Sequence, residues 1–101
     1  MTQPQAAPWQ VALGKSAPAL LKDVTMVRES VMTEGALSLK TKTLMTMLCD
    51  ALLAHSSGVA TIAGRARAIG ATEEEIAETV GVAFLMGGLP ALVTGASAFQ
   101  D

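Results

Sequence analysis

Apolar side chains recur at steps of three and four residues along most of this 101-residue chain. That spacing places them on one face of an α-helix. No stretch shows the strict alternation of apolar and polar residues that is typical of a half-buried strand. Turn-favouring residues separate the apolar stretches, at Gly35, at 56–58, at Gly70 and at 87–88. The sequence therefore predicts an all-α fold.

The separators divide the chain into four helices and a short fifth. The most specific local pattern is ATEEEI, in which Thr72 is the predicted N-cap and Glu75 stands at the capping-box position. Residues 1–15 are rich in Pro, Gln and Ala, and we expect them to form a mobile or extended N-terminal arm. Residues 16–101 form the predicted helical domain. Its helices are expected over about 16–33, 38–54, 59–70 and 72–87, with the last one opening at Pro90.

The balance of apolar and charged residues points to a partner. Half of the residues are hydrophobic and 16% are charged, against about 25% charged in an ordinary globular chain. A domain of this size buries only about 60–65% of its unfolded surface. Val80–Phe99 carries no charge and is long enough to span a membrane, but MGGLP interrupts it. We therefore expect self-association into a homo-oligomer, and no membrane insertion.

Several functional classes are disfavoured by composition. The net charge is -2, the basic residues are scattered and aromatic residues make up 3%, so no nucleic-acid partner is expected. A single cysteine and a single histidine provide neither a disulfide framework nor a metal site. We therefore expect no metal and no cofactor. The N-terminus lacks a secretory pattern, which predicts a cytoplasmic protein.

Three segments together resemble a known family. They are GALSLKTKTLMTMLCDALLAHSSG, RARAIGATEEEIAETVGVAFLMGGLPALV and the lead-in helix that opens near Pro18. The chain resembles the carboxymuconolactone decarboxylase family, which includes the alkyl hydroperoxidase D-like proteins. The resemblance implies a compact five-helix domain that assembles into trimers or hexamers.

The family register also implies which positions carry the site. The redox branch of the family uses a Cys-x-x-Cys motif with histidines and a glutamate. Its first cysteine falls on His55 and its second on Gly58, the histidine between them falls on Ser57, and the glutamate falls on Thr43. The histidine that the decarboxylase branch typically keeps falls on Ile62. The resemblance therefore implies a degenerate active site, with His55 as the catalytic residue and Thr43 and Ser57 as ligand-binding residues.

The sequence leaves more than one function open. His55 is either an acid–base residue or a helix-terminal histidine that bonds a free carbonyl. Cys49 is expected to be a buried, inert side chain, and Asp50 is expected to lie off the face of His55. The first hypothesis is non-redox small-molecule binding, or cofactorless acid–base catalysis of the decarboxylation or isomerisation type, in a pocket at His55. The alternatives are a catalytically silent assembly protein and, with less support, a peroxidase-type activity as in the redox branch.

Overall fold

The computed structural model describes residues 7–100, and these are helical almost throughout. The described residues form five α-helices and a final 3-10 helix and contain no strand, so the all-α prediction is confirmed. The helices are α1 (Pro8–Ser16), α2 (Pro18–Val31), α3 (Leu39–Leu52), α4 (Ser56–Ala68) and α5 (Glu73–Gly95), followed by the 3-10 helix Ala96–Phe99.

The chain divides into two compact units, the first ending at Thr33 and the second beginning at Glu34. In the first unit α1 contacts α2, and each helix has a proline in its first turn. The Arg28 guanidinium lies 5.4 Å from the centre of the Trp9 ring, within cation–π distance. The extended conformation expected for the N-terminal arm is therefore wrong from Pro8 onward, because Pro8 starts a helix there. The domain division at residue 16 stays a prediction.

The core of the second unit lies where α3 packs against α4 and α5. Its largest fully buried side chains are Met47, Val59 and Ile76. Most of the other core residues are alanines, whose small side chains let neighbouring helices approach closely. These alanines are Ala51, Ala63, Ala66, Ala71, Ala83, Ala91 and Ala98.

Two predicted helix starts and the predicted break are present, whereas the separator expected at 56–58 is wrong, because α4 already begins at Ser56. The Ser38 hydroxyl accepts a hydrogen bond from the Thr41 N–H at the start of α3. Thr72 and Glu75 form the predicted capping box at the start of α5. Within α5, Gly88 has φ 75° and ψ -163°, a backbone conformation that glycine adopts readily, and Pro90 follows it. The apolar C-terminal stretch therefore consists of two helical pieces that meet at Gly88.

Much apolar surface of α5 is not covered within the chain. By length and composition alone, the segment Glu73–Phe99 could cross a membrane, and 22% of its most apolar window is buried. The exposed large side chains of this helix are Val82, Phe84, Leu85, Met86, Leu89, Leu92 and Val93. Helical spacing predicts that Phe84 shares the core face with Ile76 and Val80, but Phe84 is half-exposed, so that prediction is wrong. Leu44 of α3 is partly buried against the core.

Candidate active site

The candidate site forms at the C-terminal end of α3, where the backbone turns sharply into α4. Ala54 has a positive φ of 63°, the left-handed conformation that commonly closes a helix. The His55 N–H then donates to the Asp50 carbonyl at 2.8 Å, and the Ala54 N–H donates to the Ala51 carbonyl at 3.5 Å. This pair of bonds is a Schellman motif. It reverses the chain within two residues, and α4 begins directly afterwards at Ser56.

The reversal brings two side chains of the second unit together. Nδ1 of His55 lies 3.1 Å from Oδ1 of Asp50. The His55 side chain is 58% exposed and the Asp50 side chain 26% exposed. Our expectation that Asp50 lies off the face of His55 is wrong, because it assumed one continuous helix from Asp50 to His55. The ring therefore bonds a carboxylate, and not a free helix carbonyl as the alternative interpretation of His55 held.

The hydrogen bond decides which nitrogen of the ring is available for chemistry. An ionised carboxylate can only accept hydrogen bonds, so Nδ1 of a neutral His55 must carry the proton. Nε2 is then the nitrogen with a free lone pair, and it lies on the side of the ring away from Asp50. A carboxylate that orients an imidazole in this way is the arrangement used by many acid–base histidines.

The other predicted site residues lie at different depths. Thr43 is buried and its hydroxyl donates to the Leu39 carbonyl at 2.8 Å. It precedes Asp50 by seven residues, about 10 Å along the helix on the same face. Ser57 is exposed in the first turn of α4, two residues after His55. Ser57 is therefore at the exposed start of α4, and Thr43 lies two helical turns from Asp50, inside the helix packing.

Cys49 differs from its prediction. It is exposed in the chain, on the part of the α3 surface that also presents Met45 and Leu52. The expected burial is wrong because the apolar face of α3 is broader than the area that α4 and α5 cover. Ile62, where the decarboxylase branch keeps a histidine, is partly buried against the core.

A second polar cluster lies at the other end of α4. Both Nε and Nη2 of Arg67 donate to the Glu73 carboxylate, at 2.7 and 2.8 Å, and Nη2 also donates to the Ala98 carbonyl. The Arg67 hydrogen bond holds the pKa of Glu73 below its ordinary value, and the bond to Glu73 raises the pKa of Arg67. A hollow of about 410 Å³ adjoins the cluster, lined by Arg67, Glu73, Ala98, Phe99 and Gln100. Because Arg67 already makes three hydrogen bonds within the chain, we interpret this cluster as one that stabilises the fold and does not bind a ligand.

Another ion pair joins α3 to the start of α5. Nζ of Lys40 lies 2.9 Å from Oε2 of Glu75. The hydrogen bond from Lys40 is the main reason that the pKa of Glu75 lies below its ordinary value, and the Thr72 N–H contributes as well. Within residues 7–100, no group of three or more His, Cys, Asp or Glu side chains could hold a metal ion.

The comparisons with known proteins agree with this architecture. The model of the carboxymuconolactone decarboxylase family matches residues 18–101. The chain belongs to the carboxymuconolactone decarboxylase family. A family member from Legionella pneumophila, known from a crystal structure, is similar to it with a TM-score of 0.83 and 29% identity, over 89% of this chain and 80% of that one. No curated protein matches the chain in sequence. The α3–α4 junction, with Asp50 and His55, lies within the residues that the family model matches.

Proposed function

We propose that this protein of the carboxymuconolactone decarboxylase family is a cofactorless acid–base enzyme. Its substrates would be small carboxylated molecules, such as a carboxylated lactone, that undergo decarboxylation or a double-bond shift. The observation that carries the proposal is the 3.1 Å contact between Nδ1 of His55 and Oδ1 of Asp50. It gives the chain's one histidine a fixed orientation and a defined free nitrogen.

The chemistry requires one group that moves a proton. When a carboxylate leaves as CO₂ next to a conjugated carbonyl, the electron pair of the broken carbon–carbon bond moves onto that carbonyl system. A proton is then returned to carbon, and in a double-bond shift it is first removed from the neighbouring carbon. Nε2 of His55 is the group proposed to do this, and Asp50 stabilises the imidazolium that forms when His55 takes up a proton.

Substrate binding needs more than this pair. Ser57, two residues from His55 and exposed, can donate a hydrogen bond to a substrate carboxylate or carbonyl. Thr43 is proposed as a second ligand contact, through the lone pairs that its hydroxyl retains. Because His55 is more than half exposed in the single chain, we propose that a neighbouring copy completes the pocket. The assembly would be a cytoplasmic trimer or hexamer.

A second candidate function is assembly without catalysis. Leu85 is 78% exposed and Met86 72% exposed on α5, and such side chains favour burial against another copy. In this alternative the protein functions as an oligomeric assembly without catalysis, and the Asp50–His55 contact only stabilises the turn between α3 and α4. A peroxidase activity has less support, because a disulfide cycle requires a second thiol and the chain has one cysteine.

A direct assay separates these functions. Purified protein is mixed with 4-carboxymuconolactone, the substrate that the family name implies, and CO₂ release is followed. We expect turnover that falls about 100-fold or more in His55→Gln and about 10-fold or more in Asp50→Asn, with unchanged circular dichroism. Cys49→Ser, one residue before Asp50, is the matched control and retains full activity. Absence of turnover in the wild type, or equal turnover in His55→Gln, would contradict the proposal and favour assembly.

A further inference from the structure

Gly58, in the first turn of α4, lies directly against the Asp50 carboxylate. A Cβ atom at position 58 would lie 2.6 Å from Oδ2, 2.9 Å from Cγ and 3.3 Å from Oδ1 of Asp50. A Cβ atom essentially never comes within 3.0 Å of a heavy atom of another residue. A side chain at position 58 would therefore displace the Asp50 carboxylate. The absence of a side chain at position 58 is therefore what leaves room for Asp50.

The surroundings of this carboxylate explain its position. Asp50 faces the first turn of α4, where unpaired backbone N–H groups and the helix dipole favour a negative charge. Oδ1 of the same carboxylate lies 3.1 Å from the His55 ring. Asp50 thus bridges position 55 and position 58, the two positions where the family resemblance places the redox cysteines.

We propose that Gly58 is a positioning residue for the acid–base pair. It acts through Asp50, by keeping open the space in which the carboxylate holds the His55 ring in its Nδ1–H tautomer. The inference rests on the proposed function and adds a third residue to its machinery. It also explains the glycine, because a glycine inside a helix is less stable than an alanine unless the side chain has no room.

Gly64 provides a matched control on the same helix. A Cβ atom at position 64 would meet nothing within 4 Å. Gly64→Ala and Gly58→Ala therefore make the same chemical change in α4, and only the second conflicts with Asp50. Because the Asp50 carboxylate is the end of a side chain that can rotate, we expect Gly58→Ala to fold with this carboxylate turned away from His55.

The experiment measures the His55 tautomer by ¹⁵N NMR at a pH where the ring is neutral. The chain has one histidine, so the spectrum reports one ring. We expect the Nδ1–H form to predominate in the wild type and in Gly64→Ala, and to become the minor form in Gly58→Ala and in Asp50→Ala. Any lactone turnover should fall about 10-fold to 100-fold in Gly58→Ala and stay unchanged in Gly64→Ala.

Melting temperatures of the double variant test the contact itself. Once Asp50→Ala has removed the carboxylate, adding Gly58→Ala should raise the melting temperature, whereas in the wild-type background it should lower it. If Gly58→Ala does not fold but the double variant does, that result also supports a steric clash between the Cβ atom at position 58 and the Asp50 carboxylate. A Gly58→Ala protein with the wild-type tautomer, or a double variant that gains no stability, would overturn the positioning role. A wild-type ring in the Nε2–H form would instead contradict the proposed function, while the melting temperatures still decide the Gly58–Asp50 contact.

Discussion

Asp50 and His55 are five residues apart in sequence, and their side chains are in contact because α3 ends between them. On a continuous helix, two residues at this spacing point about 140° apart and do not meet. The left-handed conformation of Ala54 turns the chain back so that His55 faces the end of the helix it has just left. The backbone conformation of Ala54 thus determines whether Asp50 and His55 come into contact.

Ala54→Gly should stabilise the protein. An L-residue in the left-handed region costs about 1–2 kcal/mol, whereas glycine adopts that region freely and loses roughly 0.5–1 kcal/mol through the flexibility of the unfolded chain. We expect a gain of about 0.5–1 kcal/mol in the free energy of unfolding, measured by chemical denaturation, with activity unchanged. Ala54→Val, whose branched side chain resists this conformation, should lose both stability and activity. If Ala54→Gly is less stable than the wild type, the helix end is not built as described.

Ile76→Ala should lower the stability of the fold, whereas Phe84→Asp should weaken association between copies. Ile76 is fully buried in the core of the second unit, so Ile76→Ala should lower the free energy of unfolding by about 2–5 kcal/mol. Phe84 is half-exposed, so Phe84→Asp should leave the helical fold intact and weaken association between copies. Light scattering and circular dichroism separate the two effects, with Ala77→Asp, at an exposed position of the same helix, as the control. A monomeric wild type would contradict the proposed assembly.

The two ion pairs should make stability depend on acid pH. The pKa values of Glu73 and Glu75 are lowered in the folded chain by hydrogen bonds from Arg67 and Lys40. Their stabilisation is therefore present above the ordinary pKa of glutamate and is lost as the pH falls through the lowered values. We expect Glu73→Gln to melt below the wild type at neutral pH, with the difference shrinking to zero in acid and in high salt. A difference that persists at acid pH would mean that Glu73 acts through packing and not through its charge.

Cys49 should be dispensable for activity despite its exposure. A disulfide cycle requires a resolving thiol to react with the oxidised one, and within the chain there is none. We expect no peroxide consumption in the presence of a thiol reductant, for the wild type and for Cys49→Ser alike. Peroxide turnover that disappears in Cys49→Ser would contradict this prediction and show that the Cys49 thiol is catalytic.

The sequence predicts the fold better than the site, for a physical reason. Helical spacing and the Thr72–Glu75 capping box are local patterns, so the helices and their starts follow from neighbouring residues. The pairing of Asp50 with His55 depends on an alanine in the left-handed region, a conformation for which alanine has no preference. The turn-favouring residues at 56–58 indicate that the helix ends near residue 54, but they do not show that Ala54 turns the chain back towards Asp50. Exposure of Cys49 and Phe84 likewise depends on how much of each helix the other helices cover.

Chemical rescue with imidazole shows whether His55 transfers a proton in the reaction. His55→Ala removes the imidazole and leaves a space beside Asp50 that a free imidazole molecule can enter. Turnover of 4-carboxymuconolactone by His55→Ala is measured against imidazole concentration, with the wild type and Cys49→Ser as controls. We predict that imidazole restores activity to His55→Ala in a saturable manner and does not accelerate the controls. A folded His55→Ala protein that is as active as the wild type without imidazole would show that His55 does not transfer the proton.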